Sequence, residues 1–376
     1  MSEIKVNSIK GVGASAAAIT VNNTDGTCTA NITNNLSNRN VIINGAMQVN
    51  QRGNQTGISS GGSNFALDRW TLALSNAGTW SISQSTDTPD GFGNSLKLDC
   101  TTADASLGSG DYIFLRQKLE GQDCQAFAKG TSAAKQFAVS FYVKTNKSGV
   151  YTVELMDNDN NRVATKTFTV SDGNWNRYTL IFPADTTGAF DNDNAQSLTF
   201  DIWLGAGSGY TSGTFNTSSW AAKVNANRAS SSNVNLADST SNEFYLTGVQ
   251  LEVGSVATDF EHRSFGQELA LCQRYFERIV ITGNDIFFYG VNQFGSQGRI
   301  PLFFRVTKRA IPTVSIDDAN FAYYAVAGSG SNGSGSFAVN SYSKDTMGIS
   351  SVGTGSSTAY WTNKSNDGYV DASAEL

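Results

Sequence analysis

The chain has 376 residues, with 26 Lys+Arg against 32 Asp+Glu, a net charge of -6 and a pI of about 4.9. Only 15% of residues are charged, against roughly 25% in an average soluble chain, so polarity rests on Ser, Thr, Asn and 37 Gly. An acidic chain without a basic cluster lacks the field that phosphate neutralisation needs, and nucleic-acid binding is not expected.

The length suggests about two or three domains. Hydrophobic residues are 39%, enough for real cores, and Pro is only 4. β-branched and aromatic residues set among small polar ones favour short strands joined by tight turns. The start, Met1-Ser2-Glu3-Ile4-Lys5, has no charged n-region followed by an apolar h-region, so no secretion signal is expected. No apolar stretch reaches the ~18 residues of a membrane span. Cys28, Cys100, Cys124 and Cys272 show no CxxC spacing. Free thiols of a reducing cytosol are the expected state, with a Cys100–Cys124 bridge as the alternative.

Residues 1–40 carry sparse apolar side chains among Gly, Ala, Ser, Thr and Asn. Such a segment cannot offset its own ordering entropy. It either orders on a partner or stays a disordered tail. Residues 41–262 read as consecutive strands. They include Val41-Ile42-Ile43, Trp70 to Leu74, Trp80 to Ser83, Ser95 to Leu98 and Tyr112 to Leu115. Further on come Phe137 to Val143, Val150 to Leu155, Val163 to Val170, Asn176 to Phe182, Leu198 to Leu204 and Phe244 to Glu252. Many alternate apolar with polar, the period of a half-buried strand. Asp/Asn/Gly clusters such as Asp157-Asn158-Asp159-Asn160-Asn161 divide them. Strands at this spacing without intervening helices predict an antiparallel sandwich.

Residues 263–280 read as a linker helix. Ser264 and Gln267 form a capping box, and Phe265, Leu269, Cys272, Phe276 and Ile279 recur at 4-3-4-3 spacing. That stripe suits a helix packed on its own sandwich, or a short helix at a threefold axis. Residues 281–376 return to strands, with Gly328 to Gly335 as a loop or hairpin tip, and predict a smaller C-terminal β-domain. No fixed internal repeat is present, which argues against a solenoid.

Several local patterns resemble bacteriophage tail fibres carrying a jelly roll like that of carbohydrate-binding modules. They are Asn40 to Gly53, Asp68-Arg69-Trp70, Phe244 to Gly254, Asp259 to Ser264 with Glu268 to Phe276, Ala310-Ile311-Pro312-Thr313-Val314, and Ala374-Glu375-Leu376. The resemblance spans about 40–376. It implies a virion protein and a homotrimer, assembled in the host cytoplasm and exposed on the particle. Residues 1–40 are then the attachment end toward other tail proteins, and a host surface polysaccharide is the ligand. Jelly rolls of this kind often hold a structural Ca²⁺. Here Ala46, Gln48, Thr247 and Gly248 stand where acidic ligands are usual, and Ca²⁺ needs 6–8 oxygens. That site is read as lost, and no cofactor is expected. Asp157, Asp159, Asp191 and Asp193 offer another place for the ion, or are plain turn residues.

Catalysis has little to work with. The single histidine, His262, would have to serve any Ser-His-Asp or Cys-His site. Metal sites needing two histidines are excluded, and no phosphate-binding Gly loop occurs in strand–loop–helix context. Glycan hydrolysis needs only two carboxylates, so a depolymerase stays open as the third reading, after a receptor-binding fibre and a structural adaptor or decoration protein. The expectation is a protein that binds and does not catalyse.

Sugars present C–H faces to aromatic rings and hydroxyls to polar tips. The uncharged stretch from Leu204 to Ala222 holds Tyr210, Phe215 and Trp220 on a loop, where binding residues concentrate. Trp220 and Tyr210 lead the glycan-binding candidates, with Phe215, and with Trp80 and Arg116 from strands. Trp70 and Trp203 are read as core.

Overall fold

The computed structural model describes residues 6–10, 12, 19–21, 24, 28–30, 38–65, 67–281, 286–292, 297–317, 321–325, 337–352, 358–363 and 368–376. Most of the N-terminal segment and the Gly328–Gly335 loop lie outside them. Three short strands, β1 (Ser8–Ile9), β2 (Ile19–Val21) and β3 (Cys28–Ala30), pair antiparallel with one another.

The sandwich begins with β4 (Gln55–Ile58), β5 (Gly61–Phe65), β6 (Thr71–Ser75), β7 (Thr79–Ser85), β8 (Ser95–Thr102) and β9 (Tyr112–Glu120). It continues with β10 (Phe137–Thr145), β11 (Gly149–Asp157), β12 (Arg162–Val170), β13 (Asn176–Phe182) and β14 (Gln196–Ala206). The short helix α1 (Ser208–Thr211), β15 (Ala221–Ala222) and β16 (Glu243–Val253) complete it. One sheet has six strands in the order β13-β10-β16-β8-β7-β4, the other seven in the order β15-β12-β11-β14-β9-β6-β5. From β8 to β11 the chain changes sheet at every step, and it does so again from β12 to β14: a jelly-roll sandwich, antiparallel as the alternating pattern predicts. The inward residues meet in one core that includes Trp70, Trp80, Phe141, Phe168, Phe200 and Phe244. Trp70 meets Phe200 edge to face at 6.1 Å, a favoured aromatic geometry.

The opening segment differs from its reading. Val41-Ile42-Ile43 is buried or half-buried but is not a strand. Side chains take over the work of a ladder. Ile42 N–H donates to Asn40 Oδ1 at 3.0 Å, and the Gln117 amide bonds both the N–H and the C=O of Ile43 at 2.8 Å. Arg263 donates to the carbonyls of Asn40 and Ile42, and Glu268 accepts from Asn44 N–H. Gly45 passes so close to β16 that a Cβ there would lie 2.2 Å from Val249 O, so only glycine fits.

The helix α2 spans Phe265–Gln273, with the Ser264/Gln267 capping box formed. It is shorter than expected, because Phe276–Ile281 is strand β17. Phe276 and Ile279 therefore do not continue the helical stripe. The run Phe276-Glu277-Arg278-Ile279-Val280-Ile281 is β-branched and aromatic, which favours a strand, and a neighbouring strand offers it a ladder. Three apart on a strand, Phe276 and Ile279 face opposite sides. Of the helical members, Phe265 is 56% exposed, Leu269 is half-buried and Cys272 is fully buried. Cys272 and Tyr275 pack with Ile43 and Val49 of the same chain, so α2 lies on its own sandwich.

The rest comprises β18 (Ile286–Asn292), β19 (Gln297–Phe303), β20 (Thr313–Ile316), β21 (Phe321–Ala325), β22 (Phe337–Tyr342), β23 (Thr346–Val352), β24 (Thr358–Asn363) and β25 (Gly368–Ser373). Strands β17, β25 and β20 form one sheet, and β21-β24-β18-β19-β23-β22 another. Residues 374–376 return to the sandwich, where four cations grip them. Arg69 and Arg52 bond the Glu375 carboxylate, Lys118 donates to Leu376 O, and Arg309 donates to the Ala374 and Glu375 carbonyls. The Arg69 guanidinium also lies 3.5 Å over the Tyr275 ring. Asp68-Arg69-Trp70, Glu268 to Phe276 and Ala374-Glu375-Leu376 thus meet at one seam.

Cys100, Cys124 and Cys272 are free and buried, so the Cys100–Cys124 bridge is not made. Burial pushes the Cys100 thiol up to about 11, which makes it unreactive at neutral pH. Among the described residues no helix is long and apolar enough to cross a membrane.

Candidate glycan-binding face

Strand alternation puts Phe141, Val143, Phe244 and Leu246 into the core. The same alternation turns Tyr142, Lys144, Tyr245 and Thr247 away from the core on the six-stranded sheet, where Tyr142 and Lys144 are half-buried, Tyr245 is 8% exposed and Thr247 is covered. Register then builds rows. Lys144 lies opposite Tyr245, and Tyr245 opposite Lys97. Trp175, just before β13, stands edge-on to Tyr245 at 6.2 Å between ring centres. Its indole Nε1 donates to Asp87 Oδ1 at 2.9 Å, and Lys144 Nζ donates to Asp87 Oδ2 at 2.6 Å. On the other flank Lys97 pairs with Glu243 at 2.6 Å, and the Tyr245 hydroxyl donates to Glu243 at 2.9 Å. The Lys144 and Lys97 ammonium groups sit 5.5 and 5.6 Å from the Tyr245 ring centre, within cation–π range.

These four charged side chains keep 24–40% of their surface exposed, so they can exchange partners with an incoming hydroxyl. The hydrogen bonds from Lys144 and Trp175 hold the Asp87 carboxyl below its usual range. The hydrogen bond from Lys97 does the same for Glu243 against the opposing effect of burial. Both acids are therefore ionised acceptors at neutral pH.

A second aromatic group lies farther along the same face. Tyr142 is opposite Thr247, and the Phe92 ring centre is 5.3 Å from Tyr142, 5.1 Å from Phe260 and 5.2 Å from His262. A tight turn presents Phe92: its N–H donates to Pro89 O at 3.3 Å, and the Thr88 hydroxyl donates to its carbonyl at 2.8 Å. Gly248 lies beneath with φ +62°, and a Cβ there would come within 2.8 Å of both the Phe92 and Tyr142 rings. His262 is exposed. It also lines a cleft of about 600 Å³ together with Asn38, Glu261, Arg263, Leu271 and Arg274.

The residues singled out from the sequence fall elsewhere. Trp220 is 6% exposed. Its ring meets Phe137 at 5.5 Å and its Nε1 donates to Pro183 O at 2.8 Å. Trp80 is fully buried and donates to Ala77 O at 2.7 Å. Both belong to the core and cannot meet a ligand as folded. Within the uncharged Leu204–Ala222 stretch it is Trp220 that turns inward, while residues 212–214 and 217–219 stay exposed. Phe215 is half-buried in the same stretch.

Tyr210 and Arg116 lie on the outer face of the seven-stranded sheet, on opposite members of one aromatic cluster, Tyr210 on Tyr112 and Trp203 and Arg116 over Phe114. Tyr210 packs on Tyr112 and Trp203 at 5.7 and 5.3 Å. Arg116 makes two 2.7 Å hydrogen bonds to Asp201. Arg228 closes over Glu154 beside them at 2.8 Å, and Ala229 is buried against Phe114 and Trp203. The chain thus covers this face with its own segment. Trp175, Tyr245, Tyr142, Phe92 and Phe260 were not among the glycan-binding candidates read from the sequence. The signal for Tyr142 and Tyr245 was present, since each is an aromatic at an outward position between two core residues.

The positions read as a lost calcium site do not suit the ion. The Thr247 hydroxyl donates to Asn94 O at 2.7 Å, and neither Gly248 nor the buried Ala46 supplies a side-chain oxygen. Among the described residues no group of three or more His, Cys, Asp or Glu is placed to hold a metal. Of the alternative acids, Asp157 is fully buried against Lys129. Asp159 accepts from Asp191 N–H, which ties two loops together, and Asp193 accepts from Ala195 N–H, a turn contact.

No family model and no curated protein matches the chain. Among solved structures it is similar to the enzymatically active domain of tailspike protein 4 of bacteriophage CBA120. Identity is 13% over 57% of this chain and 21% of that one, with a TM-score of 0.31, so the match spans about a fifth of the tailspike. A CBM4 module matches at 12% identity over 56% of this chain and 97% of its own, TM-score 0.28. TmCBM61, solved with β-1,4-galactotriose, matches at 8% identity over 57% and 99%, TM-score 0.28. The assignment of this chain as an antiparallel jelly-roll sandwich rests on its own two sheets.

Proposed function

We propose that this chain is a non-enzymatic virion protein of the tail-fibre type that binds host surface polysaccharide through the outer face of its six-stranded sheet. The observation that carries the glycan reading is the half-exposed Trp175 ring beside Lys144 and Lys97, seated on the 8%-exposed Tyr245 and edged by the accessible carboxylates of Asp87 and Glu243. Rings for C–H faces and charged tips for hydroxyls are what a sugar requires. The same carboxylates support binding over hydrolysis. A glycosidase needs one acid kept protonated, and both of these are held toward the ionised form. The low-charge, Ser/Thr/Asn/Gly-rich β composition and the tail-fibre-like sequence landmarks support the virion reading. On this reading the assembly is a homotrimer attached through residues 1–40.

The test is affinity electrophoresis of the purified chain in gels containing candidate host polysaccharides. Trp175→Ala and Tyr142→Ala should each weaken retardation about tenfold, the ~1.4 kcal/mol that one ring contact contributes. Tyr210→Ala should leave it unchanged. Retardation that survives both face variants would move the site elsewhere, and no retardation on any surface polysaccharide would remove the glycan reading. Light scattering tests the assembly: three copies of 40.0 kDa, or about 120 kDa, are expected.

A further inference from the structure

Lys129 is the most deeply enclosed cation of the sandwich. Its side chain is fully buried, as is that of Asp157, and the Asp185 side chain is 6% exposed. Four oxygens surround its Nζ: Asp157 Oδ2 at 2.5 Å, Gly188 O at 2.7 Å, Thr187 O at 3.0 Å and Asp185 Oδ2 at 3.1 Å. An ammonium has three N–H donors, so oxygens outnumber them. Two carboxylates and two main-chain carbonyls are a hard-cation donor set. Asp157 Oδ1 is beside them, and Asn160 Nδ2 approaches Asp157 at 3.0 Å.

The cradle is built independently of the lysine. Arg162 donates to both Asp185 oxygens at 2.8 and 3.1 Å, and Thr187 N–H donates to Asp185 Oδ1 at 3.1 Å. Asn160 N–H donates to Asp157 Oδ1 at 3.0 Å. The Trp220 and Phe190 rings close the site at 5.1 and 5.3 Å from Nζ.

We propose that the Lys129 ammonium is a tethered substitute for a metal ion, and that the cradle around it is a latent Ca²⁺-class site. Lysine supplies the charge that joins the end of β11 to the 183–190 loop, and a covalently held cation cannot be lost to dilution or chelation. Removing the side chain leaves two carboxylates and two carbonyls facing a space that a Ca²⁺ ion with waters can fill.

The experiment compares wild type, Lys129→Ala and Lys129→Met by thermal unfolding in excess EDTA, in millimolar CaCl₂ and in millimolar MgCl₂. Wild type should show one Tm in all three. Lys129→Ala should melt lower in EDTA and gain about 5–10 °C in Ca²⁺, with a smaller gain in Mg²⁺. Lys129→Met removes the charge but fills the space, so it should be destabilised and blind to the metal. Tb³⁺ provides a second readout, because Trp220 is close enough to sensitise its emission in the Ala variant and not in wild type. If Lys129→Ala does not fold in EDTA, recovery of soluble protein by refolding in Ca²⁺ and not in Mg²⁺ supports the proposal. An Ala variant whose Tm and Tb³⁺ emission ignore the metal, or whose refolding Ca²⁺ does not aid, overturns it.

Discussion

Trp220→Ala separates a core tryptophan from a ligand platform. The ring is 6% exposed, stands against Phe137, donates to Pro183 O and covers Lys129. Removing a buried Trp costs about 3–5 kcal/mol. The orphaned Pro183 carbonyl adds roughly 1 kcal/mol, and the lost cation–π contact about 1 more. A total of about 5–7 kcal/mol corresponds to a fall of roughly 10–28 °C in the Tm of a domain this size. Urea unfolding followed by tryptophan fluorescence should show a lower midpoint with an unchanged slope. Trp175→Ala, on the half-exposed face, is the comparator and should lose no more than about 1–2 kcal/mol. If Trp220→Ala costs under ~1.5 kcal/mol, or if it abolishes glycan retardation at full stability, the placement of this ring in the core is wrong.

The seam offers a second test. Arg69 is 2% and Glu375 7% exposed, and removing one partner of such a pair costs about 3–5 kcal/mol. In a double-mutant cycle, Arg69→Met with Glu375→Gln should be little worse than the poorer single variant, with coupling above ~1 kcal/mol; strict additivity would deny the contact. The pH dependence of glycan binding gives a third. The folded pKa values of Asp87 and Glu243 are depressed, so the two carboxylates stay charged as pH falls toward the ordinary value. Binding should hold from neutral pH to about 4 and decline only below it. A midpoint well above that would show that neither acid governs the contact. The same sign applies to the stability contributed by Asp185. Burial works to raise its carboxyl, but hydrogen bonds from Arg162, Thr187 and Lys129 outweigh this and hold it low. That stability is present above the ordinary carboxylate pKa and disappears as pH falls through the folded value.

The sequence landmarks have a structural reason that ligand contact does not supply. Arg69, Tyr275 and Glu375 are far apart in the chain and meet in one stack at the seam. The opening segment from Asn40 to Gly53 lies against Glu268 and Arg263. These motifs build the joint between sandwich and C-terminal strands. The face that can take a sugar also uses Trp175, Tyr142 and Phe92, which none of those motifs contains, beside Tyr245 and Phe260, which two of them do.

Local pattern was sufficient wherever one element decides the outcome. Period-2 alternation marks β10, β11, β12 and β16, and Ser264 with Gln267 marks the start of α2, because strand and helix caps are built from near neighbours. It failed where a distant partner decides. The 4-3-4-3 spacing reads as one helix, yet β25 offers Phe276–Ile281 a ladder and the chain takes it. A charge-free Gly/Ser/Thr stretch reads as an exposed loop, yet Trp220 is drawn into the core by Phe137 and Pro183. Burial and electrostatic partnership, as for Lys129 among Asp157, Asp185 and two carbonyls, arise from residues far apart in the chain. Only the closed fold brings them within a few ångströms, and a one-dimensional pattern contains no record of that distance.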